Sequence, residues 1–324
     1  MQNSTTAHAL LALAVCITAC STIPAADRPT SSVAAQRVVL VSVDGLRGDA
    51  MASMPTLSAL RDRGLWTDSM HTVLPALTVP GHLSMLTGRD VTTLGITSND
   101  LDASKAIALD INGASTVFAW VRGAGGSSAA VAGAALVPAG RRADAQRLFA
   151  VDTLMAADLA EDSVRGRAIA LERSRQPTLL FVHFSGADLA GHDSGWIVPG
   201  VTTAAGTDSL APHYRAAAVH VDSAIAGIWA AVAADLEAGR IAFIVTADHG
   251  GGHGDHCVAT PDVPAFREHC TSAGGDQLIP FVLVAKGVAH AKLPTSARIT
   301  QVAPTSAKLL AIWRPKAADA ALGY

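Results

Sequence analysis

The chain has 324 residues, 50% of them hydrophobic and 16% charged, with a formal net charge of -3 and a mean hydropathy of +0.33. That length excludes a peptide-sized module and allows one large α/β domain or two ordinary ones, and the slightly acidic balance without Lys/Arg clusters argues against a nucleic-acid surface. The low charged fraction raises the question of a membrane protein, but the uncharged stretch Gly123 to Gly140 is mostly Gly, Ala and Ser and lacks the roughly 20 strongly apolar residues of a spanning helix.

Residues 1–20 read as an export signal and 21–33 as a polar linker. The apolar run Ala9 to Ala19 ends at Cys20, and Ile17-Thr18-Ala19-Cys20 resembles the lipobox of bacterial lipoproteins, in which the Cys carries the lipid. The n-region has no Lys or Arg, and a plain cleavage near Ala25-Ala26 is the alternative. Either way the mature chain is expected to be extracytoplasmic, in the periplasm or on the outer membrane, with 34–324 as one domain.

Val38–Val43 is a β-branched run that reads as a buried parallel strand, with Asp44 directly after it. Pro55 to Arg63 suits a short helix closed by Gly64. The segment Leu74-Pro-Ala-Leu-Thr-Val-Pro-Gly-His82 leads into a helix through Leu83, Met85 and Leu86 to Gly88, which puts Thr78 near a helix N-terminus, where backbone N–H groups favour an anion. By itself Thr78 could equally be an N-cap, and His82 reads as a packing or capping residue. Gly123 to Gly140 looks like a loop and Asp152 to Arg173 like an amphipathic helix.

Leu179–Phe184 is a second buried strand, followed by Asp188-Leu-Ala-Gly-His192, whose i, i+4 spacing lets a carboxylate and an imidazole reach one ion. Ile197 to Leu210 reads as a loop and Tyr214 to Leu236 as a long helix. A third strand, Ile241–Thr246, runs into Asp248-His249 and three glycines, with His253 and His256 beyond. Cys257 and Cys270, with 12 residues between them, would pair in an oxidising compartment and add on the order of 3 kcal/mol. Ile279–Val284, with its proline entry, fits the same sheet nearer an edge.

Strand alternating with helix implies a doubly wound, mostly parallel α/β sheet with helices on both faces. In such a sheet ligands bind beyond the carboxyl ends of the strands. Asp44, Asp188 and Asp248 all fall there, and carboxylate plus imidazole without thiolate suits Zn²⁺ or a borderline divalent ion.

Four blocks, VSVDGLR, LPALTVPGH, GADLAGHDSG and TADHGGGHGDH, together resemble the alkaline phosphatase superfamily and, within it, the type I phosphodiesterase and nucleotide pyrophosphatase branch, over roughly Val38 to Val288. The resemblance implies an alkaline-phosphatase-like fold and two Zn²⁺ ions. Asp44, Thr78, Asp248 and His249 would hold one, and Asp188, His192 and a later His the other. His256, eight residues after Asp248, matches the spacing of compact members; His253 and His269 are the other candidates. Asn99 sits where the family binds a non-bridging phosphoryl oxygen. The implied reaction is an in-line displacement through a phospho-threonine on Thr78. The motif blocks show no Lys or Arg beside Thr78, which points to a small-molecule phosphodiester or nucleotide substrate, although Arg122, Arg141, Arg142 or Arg215 could reach in from a loop. A phosphomonoesterase or phosphonate hydrolase of the same superfamily is the alternative, and a non-catalytic metal-binding surface lipoprotein is the alternative of another class.

Overall fold

A computed structural model describes residues 34–156, 160–254 and 263–324. The export signal, the linker, Cys20, His256 and Cys257 all lie outside these residues.

Eight strands form one sheet: β1 (Arg37–Val43), β2 (Leu65–His71), β3 (Ser128–Ala132), β4 (Thr153–Ala156), β5 (Leu179–Phe184), β8 (Ile241–Thr246), β9 (Leu278–Val284) and β10 (Ala291–Lys292). The remaining pair, β6 (Ile197–Thr202) and β7 (Asp208–Leu210), makes a separate hairpin. The spatial order is β10-β2-β9-β8-β1-β5-β3-β4. Pairing is parallel from β8 through β4 and antiparallel on both sides of β9. β1, β5 and β8 are buried along their whole lengths, as strands covered on both faces must be, which is why their sequences are unbroken apolar runs.

Helices pack around this sheet in two groups. Pro55–Arg61, Glu161–Arg175, Gly186–Ser194 and Pro212–Glu237 pack together, and Thr78–Thr87, Val117–Gly123 and Val302–Leu309 form the other group. Pro212–Glu237 is long and apolar enough to cross a membrane by length and composition. Its apolar residues, among them Val221, Ile225, Ile228 and Val232, are buried in the common core.

Several expectations meet a different structure. Ile279–Val284 lies two strands in from the edge and runs antiparallel. Its Pro280 sits inside the strand, where the carbonyl accepts from Thr246 Oγ1. Gly123 to Gly140 contains the fully buried strand β3, whose Ser and Ala side chains have low strand propensity but let the sheet pack closely. The segment expected as the start of a helix at Asp152 is β4, with the helix beginning only at Glu161. Ile197 to Leu210 is the β6–β7 hairpin. Cys270 is buried and disulfide-bonded, whereas Cys257, expected as its partner, is not among the described residues.

Candidate metal and phosphoryl-transfer site

The register of the central strands brings the acids together. Val43 of β1 is opposite Phe184 of β5, Ser42 is opposite Thr246 of β8, and the Asp44 N–H donates to Phe184 O at 2.9 Å. The three strands therefore end at one rim, and Asp44, Asp188 and Asp248 converge beyond it with only 0%, 5% and 0% exposure. Gly45 makes this approach possible. Its φ is +67°, and a Cβ there would lie 2.8 Å from the Asp188 Cα.

Each acid leaves an oxygen unsatisfied. Asp44 Oδ1, Asp188 Oδ1 and Asp248 Oδ2 are buried with no hydrogen-bond partner among the described residues. Burying carboxylates in this way costs several kcal/mol each unless an opposite charge is supplied.

Three imidazoles face these oxygens with one polarity. His249 donates Nδ1–H to Gly250 O at 2.7 Å, His192 to Arg267 O at 3.0 Å and His269 to Ala76 O at 2.6 Å, because a carbonyl can only accept. That leaves Nε2 of each ring for the acids. His249 Nε2 is 3.3 Å from Asp44 Oδ1, 3.2 Å from Asp248 Oδ2 and 3.2 Å from Thr78 Oγ1. His192 and His269 Nε2 are 3.5 and 3.9 Å from Asp188 Oδ1. Ligand atoms of Asp188, His192 and His269 lie within 4.8 Å of one another, as do those of Asp44, Asp188 and His249. The stacked rings of His249 and His269, 3.8 Å apart, join the two sets.

The electrostatics say the same. Burial opposes a charge on His249, but Asp248 and Asp44 outweigh it and hold its pKa up at about 10. A field that strong draws any cation. Burial opposes ionisation of Asp44 too, yet the hydrogen bond from His183 and the imidazole of His249 beside it keep its carboxyl well below the usual range. Burial, with Asp44 nearby, pushes Asp188 well above it. Burial holds His192 and His269 below the ordinary imidazole value. Unpartnered carboxylate oxygens opposite imidazole Nε2 atoms, with no thiolate, are a donor set that fits zinc.

Thr78 begins the helix Thr78–Thr87, which Gly88 closes at φ 69°. Pro80 is thus the third helical residue. Asn99 Oδ1 accepts the Val79 N–H at 3.0 Å, which brings it beside Thr78 and leaves its Nδ2 hydrogens as donors. The Nδ1–H of His82 goes to Thr78 O at 2.8 Å and its Nε2 meets Ser42 Oγ at 3.0 Å.

The structure thus gathers Asp44, Thr78, Asn99, Asp188, His192, Asp248 and His249. His256 lies outside the described residues; of the other two candidates, His269 lies beside Asp188 and His192. His253 is bound instead to Asp276 and Asp208. Arg122 and Arg141 pair with Asp152 and Asp144. Three residues carried no signal of their own in the sequence. Trp196, fully buried, donates Nε1–H to Gly45 O and sets its ring edge-on to His192 and His269. Lys105 donates to Ser98 Oγ in the loop that carries Asn99. His183 lies against Asp44.

The sequence profile of the family described as type I phosphodiesterase / nucleotide pyrophosphatase matches residues 38–311. No curated protein matches the chain. Among solved structures, murine ectonucleotide pyrophosphatase / phosphodiesterase 5, as an inactive threonine-to-alanine variant in complex with AMP, superposes with a TM-score of 0.62 at 14% identity, covering 89% of this chain and 97% of that one. The human form gives 0.61 at 14% identity, covering 86% and 96%. BT1596, a 2-O GAG sulfatase, gives 0.64 at 12% identity, covering 89% and 73%. At such identities these likenesses show the common fold.

Proposed function

The chain belongs to the type I phosphodiesterase / nucleotide pyrophosphatase family, whose members hydrolyse phosphoric esters, and on that premise we propose an exported hydrolase that uses two zinc ions to cleave phosphodiester or nucleotide pyrophosphate bonds through a phospho-threonine on Thr78. One observation carries the proposal: buried acids with unsatisfied oxygens meet imidazoles whose Nδ1–H groups are all tied to the main chain, and Thr78 Oγ1 is at the same place.

Asp44, Thr78, Asp248 and His249 would hold one ion and Asp188, His192 and His269 the other. When bound, the ions supply Lewis acidity that eases deprotonation of a hydroxyl or water and offsets charge on the leaving oxygen. The chain does the positioning. Thr78 Oγ1 attacks phosphorus from the first turn of its helix, where backbone N–H groups and the dipole favour the phosphoryl anion. The Val79 N–H fixes Asn99 by its oxygen, so Nδ2 is left to donate to a non-bridging oxygen as charge grows there. The attack breaks the bond from phosphorus to the leaving oxygen, which departs with a proton, and water then cleaves the Thr78–phosphorus ester, freeing the threonine and releasing the remaining phosphomonoester. The murine relative supports this reading, because its threonine-to-alanine variant is inactive and holds AMP. Cleavage of the signal with lipidation at Cys20, placing the protein in the periplasm or on the outer membrane, and a Cys257–Cys270 disulfide belong to the same proposal.

The zinc-loaded protein should hydrolyse bis(p-nitrophenyl) phosphate faster than p-nitrophenyl phosphate, with chelation abolishing both. Inertness toward both sinks the proposal. A reversed order makes the protein a phosphomonoesterase.

A further inference from the structure

His183 stands on β5, opposite Ser42 of β1 and fully buried, and the chemistry above does not use it. Its partners decide its tautomer. The Gly133 N–H reaches Nδ1 at 3.0 Å, and also His183 O at 3.2 Å. A main-chain N–H can only donate, so Nδ1 carries a lone pair and the ring hydrogen is on Nε2. Nε2 lies 2.9 Å from Asp44 Oδ2 and donates to it. This polarity is the reverse of that of His192, His249 and His269, whose Nδ1–H groups are spent on carbonyls.

Asp44, His82 and His183 are near enough together to hold a cation of their own, but the hydrogen bonds exclude it. The hydrogen on His183 Nε2 already fills the contact with Asp44, and both nitrogens of His82 have partners. We propose that His183 is a positioning residue, whose Nε2–H holds Asp44 Oδ2 so that Oδ1 is presented to the ion shared with His249. The other oxygen fits this division, since Oδ1 has no hydrogen-bond partner among the described residues and lies 3.3 Å from His249 Nε2. Backbone pairing fixes both ends of the device, because His183 is opposite Ser42 of β1 and Asp44, just beyond β1, donates its N–H to Phe184 O. Gly133 completes it from the far side. A Cβ there would fall 2.1 Å from Ser185 Oγ, so a larger residue could not bring its N–H so close. Groups that orient a ligand in this way typically contribute about 10–100-fold in metal affinity.

The inference rests on the metallohydrolase reading, and zinc binding separates the two. Metal content and competition with a chromogenic chelator are measured on wild type, His183→Phe and His183→Gln. Wild type should take two ions. His183→Phe should hold one of them about 10–100-fold more weakly, and His183→Gln, whose Nε2 amide can donate from nearly the same place, should recover most of that loss. Wild-type affinity for both ions in a folded His183→Phe protein overturns the inference alone. So does a third ion in wild type that the Phe variant lacks. A wild type that binds no zinc overturns the metallohydrolase reading and this inference with it. Should the Phe variant not fold, nitrogen NMR of ring-labelled wild-type histidine decides: a hydrogen on His183 Nε2 is expected, and one on Nδ1 refutes the proposal.

Discussion

The two candidate ligand sets have nearly the same chemistry and different mountings. Asp44 and Asp248 extend the C-terminal ends of β1 and β8, His249 follows directly, and Thr78 opens a buried helix; Asp44, Asp248 and His249 are 0% exposed. The second set hangs on the helix Gly186–Ser194 and on a segment after β8, and the His192 side chain is 37% exposed. Sheet register sets the first geometry, so it cannot shift without breaking strand pairing. A few contacts set the second. Asp276 accepts from Cys270 N, Thr271 N and Thr271 Oγ1 and so clamps the segment that carries His269, while Trp196 backs His192 and His269. The first set is held by the sheet and the second by local contacts.

The comparison is broken most severely at Thr78. Thr78→Ala should lower turnover by at least about 10³-fold, as loss of a nucleophile does, with the second set still able to bind zinc. Near-wild-type turnover in that variant, measured with a diester, would remove the phospho-threonine step. Next in size is the contrast between His249→Ala and His192→Ala. A ligand lost from the rigid, water-free set should cost activity that added zinc does not restore, whereas excess zinc should recover much of the loss at the half-exposed His192. Equal rescue of the two variants would erase the distinction. Smaller again is His269→Ala, which should weaken one ion by about 10–100-fold in a chelator competition; the same loss in His256→Ala, with His269→Ala unaffected, would give the position to His256.

Legibility in the sequence follows the same division. β1, β5 and β8 are plain because strands buried on both faces must be apolar throughout, and their terminal acids stand out against them. Thr78 and Asn99 were placed by the resemblance, and the structure puts them side by side. His269 has no such local signal. It reaches Asp188 because a folded segment carries it there, and spacing along the chain from Asp248 points instead to His256. His183 is harder still, since inside Leu179–Phe184 it looks like one polar interruption of a core strand, and its role exists only through partners on β1 and beyond β3. β3 itself was hidden because Ala and Ser are chosen there for close packing, not for strand propensity.

The smallest expected effect concerns how the second set is mounted. Glu161 begins the helix Glu161–Arg175, is 4% exposed, and its carboxylate accepts the N–H of Gly186, where the helix bearing Asp188 and His192 begins. Burial raises its pKa from 4.5 to about 7, the Gly186 hydrogen bond only partly offsetting it. A folded-state value above the unfolded one means that the native chain keeps a proton the unfolded chain gives up. Stability from this group is therefore greatest below pH 4.5 and falls as pH rises to about 7, with little further change above. A displacement of that size, already net of the bond to Gly186, corresponds to about 3 kcal/mol. Glu161→Gln should thus gain on the order of 3 kcal/mol over wild type at pH 8 and no more than a few tenths at pH 4.5 in paired denaturant titrations. Because both proteins carry every other titrating group, their difference isolates Glu161. A gain that stays constant across this range would mean that its carboxyl is as easily ionised in the fold as in the unfolded chain, and that the second set's helix is held by something other than a neutral acid.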